Sequence, residues 1–167
     1  MSVKIVSKVI AFSVAFAFVE AAVVVYLRHL LGSTQPDVTK EEVLFLVPGI
    51  SFLEPQTALK IIANTALLNI ERVREAFTLV MLATVASLAG HRLKEKIAYF
   101  FLVFGLWDIF YYLFLRLTIG WPKNLFDLDI FFLLPTPWVG PVIVPIAIST
   151  ILIIGSLAYL SRRIKHE

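Results

Sequence analysis

Three carboxylates stand inside stretches of this chain that are apolar enough to require lipid: Glu20, Glu75 and Asp108. An ionised group at the centre of a bilayer costs at least ~2.5–3.5 kcal/mol, so it rarely persists there without a partner or a purpose. The rest of the chain offers these groups little water. Of 167 residues, 59% are hydrophobic and only 16% charged, against roughly a quarter charged in ordinary globular domains. Mean hydropathy is +0.88. The expectation is an all-α integral membrane protein with one membrane domain over residues 1–167, built as a four-transmembrane-helix bundle.

The spans are expected over about 9–28, 70–90, 97–117 and 139–161, with outer loops at 29–69 and 118–138. The last is the cleanest, running without charge from Val139 to Ser161 and ending at Arg162, Arg163 and Lys165. The middle two are too short without their charges. Only 15 residues separate Glu75 from His91, and at 1.5 Å per residue they cannot cross a hydrocarbon layer of ~30 Å. Full length brings Glu71 to Glu75 into the membrane, and the third span must include Asp108 to reach Arg116. Lys4 and Lys8 before an apolar run resemble the start of a signal peptide. Glu20 interrupts that run and apolar character continues to Leu31, so the segment reads as a retained first span.

Basic residues set the orientation. Lys4, Lys8, Arg92, Lys94, Lys96, Arg162, Arg163 and Lys165 fall on one side, whereas the opposite loops carry Asp37, Glu41, Glu42, Glu54, Asp127 and Asp129. By the positive-inside rule both termini are cytoplasmic and the chain is integral to the cytoplasmic (inner) membrane. The net charge of +3 is explained by these flanks and gives no reason to expect nucleic acid.

The outer loops are unusually apolar. Val43 to Leu53 and Leu125 to Trp138 are greasy, interrupted by Pro48 and Gly49 or by Pro135 and Pro137, and too short to span. They read as interfacial or re-entrant segments forming an outer lid. Gln56 to Ile70 reads as an amphipathic helix, and Trp121 and Trp138 as anchors at the headgroup level. Asp127 and Asp129 are expected in an exposed loop, the alternative being that one of them closes over the cluster below.

Counted from the outer ends of their helices, Glu20, Glu75 and Asp108 lie roughly 8–12 Å deep. Glu71, Arg74, Glu75 and Thr78 share one helical face, as do Asp108, Tyr111 and Tyr112. The candidate binding residues are therefore Glu20, Glu71, Arg74, Glu75, Asp108, Tyr111 and Tyr112. In one reading Arg74 neutralises a glutamate, a tyrosine donates to Asp108, and the network only fixes helix packing. In the other, the acidic surplus binds a proton or a hard divalent cation, with Glu20, Glu75 and Asp108 as candidate metal ligands. The surplus can also meet arginines of partner membrane subunits or of a homo-oligomer. A third option is a membrane enzyme on a lipid or quinone, with Trp107, Tyr111 and Tyr112 lining an apolar pocket.

The chain has no cysteine, which removes disulfides, iron–sulfur clusters, thiolate zinc and covalently attached haem. His29, His91 and His166 sit at span ends, so histidine-ligated haem or redox metal is not expected either. No GxSxG, HExxH or phosphate-binding glycine loop occurs, so no catalytic residue is assigned, and Ser149, Thr150 and Ser156 read as packing contacts.

The stretches EAAVVVYLR (Glu20–Arg28), ERVREAFTLVML (Glu71–Leu82), FGLWDIFYY (Phe104–Tyr112), GWP (Gly120–Pro122) and PWVGPV (Pro137–Val142) resemble a group of small uncharacterised prokaryotic polytopic membrane proteins. The resemblance covers most of the chain. It implies a free-standing membrane protein and transfers no activity.

Overall fold

The structure, a computed structural model, describes residues 3–32 and 39–165. Asp37 and His166 lie outside the described residues. The chain is mostly helical: α1 (Val3–Leu31), α2 (Thr57–Ile61), α3 (Thr65–Ala89), α4 (Leu93–Ile119) and α5 (Ile143–Lys165), with strands β1 (Val43–Val47) and β2 (Ile50–Leu53) before α2, and β3 (Leu128–Phe132) and β4 (Trp138–Pro141) between α4 and α5. Three helices are long and apolar enough to cross a membrane, over Lys4–Leu31, Leu93–Ile119 and Ile143–Arg163. The helix α3 has 25 residues, but Glu71, Arg72, Arg74 and Glu75 interrupt its apolar run.

The helix α4 is the centre of the molecule. It packs extensively against α1, α3 and α5, whereas α1 and α3 touch each other lightly. Its buried row includes Tyr99, Leu102, Val103, Trp107 and Tyr112. Gly105 lets α5 approach closely, since a Cβ there would meet the Ser149 carbonyl at 2.8 Å. The helix ends follow local rules. The Asn64 side chain accepts from the Leu67 N–H at 3.0 Å and starts α3. The Glu95 carboxylate accepts from the N–H groups of His91 and Arg92 and starts α4.

The polarity of α3 is the reverse of a soluble helix. Ile70, Val73, Phe77, Val80, Met81 and Leu88 are exposed, while Glu71, Glu75 and Thr78 are buried. In a water-soluble protein the apolar stripe faces the core.

The outer segments correct the all-α expectation. Val43 to Leu53 and the stretch around Leu128 to Trp138 form strands of one antiparallel sheet in the order β1-β2-β4-β3. The hairpin β1–β2 pairs Val47 with Ile50 across the two-residue turn Pro48-Gly49, where Gly49 has φ +83°, a conformation that glycine adopts freely. Ser51 and Phe52 of β2 then pair with Val139 and Trp138 of β4. The Leu53 N–H donates to Pro137 O at 2.9 Å, and the Thr136 hydroxyl donates to Leu53 O. Two short segments broken by proline cannot satisfy their backbone polar groups as helices, so β-branched and aromatic residues do so by pairing with each other.

Two other boundaries differ. Gln56 to Ile70 is not one helix: α2 stops at Ile61, and Asn64 begins α3 after a short break. The last helix begins at Ile143, because Val139 to Pro141 belong to β4. Trp121 is buried, with the Arg28 guanidinium 3.7 Å from its ring centroid. Trp138 is half-buried between Phe52 and Phe132.

Candidate functional site

Between the sheet and the long helices lies a cavity of about 520 Å³. All seven residues chosen from the sequence border it, joined by Arg28, Thr78, Trp107, Asp129, Trp138 and Ser149. The acidic groups reach it from three helices and a strand, each held by its own partner.

Arg74 of α3 is the hub. Its Nε donates to Glu71 Oε2 at 2.8 Å on the same helix, and its Nη1 donates to Glu20 Oε2 of α1. The Thr78 hydroxyl donates to the other Glu20 oxygen at 3.0 Å. Glu20 is only 4% exposed, and these bonds provide for both of its oxygens.

Glu75 has a different task. Both of its oxygens accept from the Leu133 N–H, at 3.0 and 2.8 Å. Leu133 follows the last residue of β3, so a carboxylate of α3 occupies the place of a missing strand partner. A charge-assisted bond of this kind is roughly twice as strong as a neutral one. It ties the sheet to the helices.

Asp108, 8% exposed, accepts at Oδ2 from the Ser149 hydroxyl of α5 at 2.7 Å. The close packing at Gly105, one turn away, brings Ser149 within reach. The expectation that a tyrosine donates to Asp108 is corrected here, as is the reading of Ser149 as a mere packing contact. Tyr112 donates instead to Asp129 Oδ2 at 3.1 Å.

Asp129 also corrects the sequence reading. It is buried, not in an exposed loop, and forms an ion pair with Arg28 at 3.0 Å, so the alternative that one lid aspartate closes over the cluster is the arrangement found. Asp127 instead accepts from the backbone N–H groups of Lys123 and Asn124 in the loop before β3. Burial pushes the Asp129 carboxyl up to about 6, against the opposing pull of Arg28, the Ile130 N–H and Tyr112. At the sheet's outer edge, Lys60 of α2 pairs with Glu42. That pairing holds the Glu42 carboxyl below its usual range and raises the Lys60 ammonium.

Five carboxylates and two arginines thus meet at this cavity: Glu20, Glu71, Glu75, Asp108 and Asp129 with Arg28 and Arg74. Arg74 serves Glu20 and Glu71, and Arg28 serves Asp129. Glu75 and Asp108 are held by neutral donors alone, with no ion pair among the described residues. The hard-cation expectation receives no support from this geometry. Among the described residues no three carboxylate or imidazole side chains come together as metal ligands, because Glu20, Glu75 and Asp108 are each turned to a separate protein partner. His29 and His91 are exposed and do not border the cavity. No protein-family model, curated protein or solved structure matches the chain.

Asp129 gives a measurable signature. Its folded-state value lies above its ordinary 3.8, so the folded protein holds this proton more tightly than the unfolded chain. Ionisation therefore withdraws stability as pH rises from about 4 to about 6, and the loss is complete above that window. In unfolding titrations in detergent, the gap between wild type and Asp129→Asn is expected to change across this window by up to about 3 kcal/mol. It should then stay level above pH 7. A gap that is flat from pH 4 to 8 would show that Asp129 does not titrate in this environment.

Proposed function

We propose that this chain is a four-span integral membrane protein that binds, and moves between the two sides, a proton or a cationic ligand at Glu75 and Asp108. The observation that carries the reading is a cavity of about 520 Å³ bordered by two buried carboxylates, Glu75 and Asp108, that have no ion pair among the described residues. A buried charge is normally paired or neutralised. A bound proton or a positively charged ligand group is what neutralises these two. The cavity is also far larger than the ~30 Å³ that one water occupies, which favours a ligand of many atoms over a bare ion.

The fourth span is α3. Its exposed face is mostly apolar, with Ile70, Val73, Phe77, Val80, Met81 and Leu88 outward, and its carboxylates Glu71 and Glu75 turn inward, which is the arrangement a lipid solvent selects. With α3 crossing, the basic residues at the ends of α1, α4 and α5 gather on one side, cytoplasmic by the positive-inside rule. The sheet then lies on the outer side as the lid.

Partner subunits are a second reading, favoured by one feature. The strand β1 is an edge strand, and Leu44, Phe45, Leu46 and Val47 on it are exposed. An open apolar edge is a template for pairing with another chain.

The absence of cysteine makes the topology easy to test. Single cysteines at the exposed positions Gln56, Lys94 and Lys123 should behave differently towards a membrane-impermeant maleimide in intact cells. Positions 56 and 123 are expected to label at once and position 94 only after permeabilisation. Labelling of 56 and 94 from the same side would remove α3 from the membrane. For transport, proteoliposomes with an imposed pH gradient should lose it several-fold faster with wild type than with the double variant Glu75→Gln, Asp108→Asn. Equal rates in folded, inserted protein would overturn the transport reading.

A further inference from the structure

Resting on the reading of a cation-binding cavity, the wall chemistry narrows the ligand. Asp108 is more than nine-tenths buried and uses only Oδ2, for Ser149. Its Oδ1 has no hydrogen-bond partner among the described residues. The Tyr111 hydroxyl, on the same wall, is likewise without a hydrogen bond there. Around these groups the cavity is hydrophobic, with Trp107, Phe131, Phe132 and Trp138 on the wall beside Ile148 and Val144.

A carboxylate with a free oxygen, set among aromatic rings, matches one ligand chemistry. Aromatic faces attract a desolvated organic ammonium by ~2 kcal/mol or more, and quaternary ammonium groups are the usual guests of such cages. The molecule already displays the preference within its own fold, where the Arg28 guanidinium lies over Trp121. The faces of Trp107 and Trp138 carry no such cation among the described residues. An anionic ligand would meet the surplus of carboxylates: five border the cavity against Arg28, Arg74 and Lys60, and these cations already pair with Asp129, with Glu20 and Glu71, and with Glu42. A small metal ion finds no converging ligand set.

We propose that the cavity is a binding site for an organic cation with an apolar body, its ammonium group held by Asp108 against the aromatic wall of Trp107 and Tyr111.

The test compares benzyltrimethylammonium with its neutral carbon isostere, neopentylbenzene, on wild-type protein in nanodiscs, each corrected for partition into empty nanodiscs. Tryptophan fluorescence reports occupancy, because Trp107 and Trp138 border the cavity. The cation is expected to bind at least about tenfold more tightly, a difference of ~1.4 kcal/mol. Asp108→Asn should erase that preference while leaving the neutral compound unchanged. Equal binding of the two compounds to wild type overturns the proposal without needing any variant. A preference that survives in folded Asp108→Asn does so too. Dissipation of a pH gradient by the same protein in proteoliposomes, together with absence of cation preference in nanodiscs, would sink the ligand class and leave the transport reading intact. Loss of both would sink both.

Discussion

The fold depends on the guanidinium of Arg74. Among the described residues it is the only cation that reaches both the glutamate beside it on α3, Glu71, and the glutamate across the interface on α1, Glu20. The helices α1 and α3 pack on each other over a small area and are joined chiefly through α4. Their direct attachment is therefore polar. On the proposed four-span reading, lipid outside leaves no hydrophobic force to press two apolar helices together, and packing and interhelical polar contacts have to supply the association. Removing one member of a buried ion pair typically costs about 3–5 kcal/mol, because its partner is left charged and unpaired. Arg74 sits between two such partners.

The lid repeats this logic at a different depth. Its strands pair with each other, yet two of their buried groups are completed by the helices: Asp129 by Arg28 and Tyr112, and the Leu133 N–H by Glu75. The sheet is thus held at α1, α3 and α4 by polar bonds, beside the apolar cluster in which Ile130 and Leu133 join Leu27, Leu31 and Leu68. What lies between sheet and helices is a cavity whose walls are apolar and whose fixed charge is mostly negative. Ser149 and Gly105 show how the helices serve the cavity from the other side. The missing side chain at 105 brings α5 close enough for a hydroxyl to fix one oxygen of Asp108, and the other has no hydrogen-bond partner among the described residues.

Much of the helical part was legible because its signals are local. Apolar runs between basic flanks located α1, α4 and α5, and spacings of three and four put Glu71, Arg74, Glu75 and Thr78 on one face. Depth counting chose Glu20, Glu75 and Asp108, and all three border one cavity. The sheet was not legible, because the β2–β4 pairing joins residues more than eighty positions apart and each strand alone reads as a greasy loop. Asp129 was misplaced because it was read as part of a loop, whereas the pairing of β3 with β4 sets it opposite Gly140 in a strand and it meets Arg28. One local signal was available and overlooked. Asn64 before Thr65-Ala66-Leu67 is a helix start, and it separates α2 from α3. The partner of Asp108 had no sequence signal, since a serine on a distant apolar helix is compatible with packing as well as with bonding.

A double-mutant cycle at Glu20 and Arg74 tests the central claim most directly. Glu20→Gln, Arg74→Met and the double variant would be compared with wild type by reversible unfolding in mixed micelles. The account predicts that Arg74→Met is the costlier single change and that the two positions are coupled by about 1.5–3 kcal/mol, within the range for residues in direct contact in one ion-pair network. Additivity within about 0.5 kcal/mol would contradict it, and would mean that α1 and α3 are held without the arginine on which this description of the site is built.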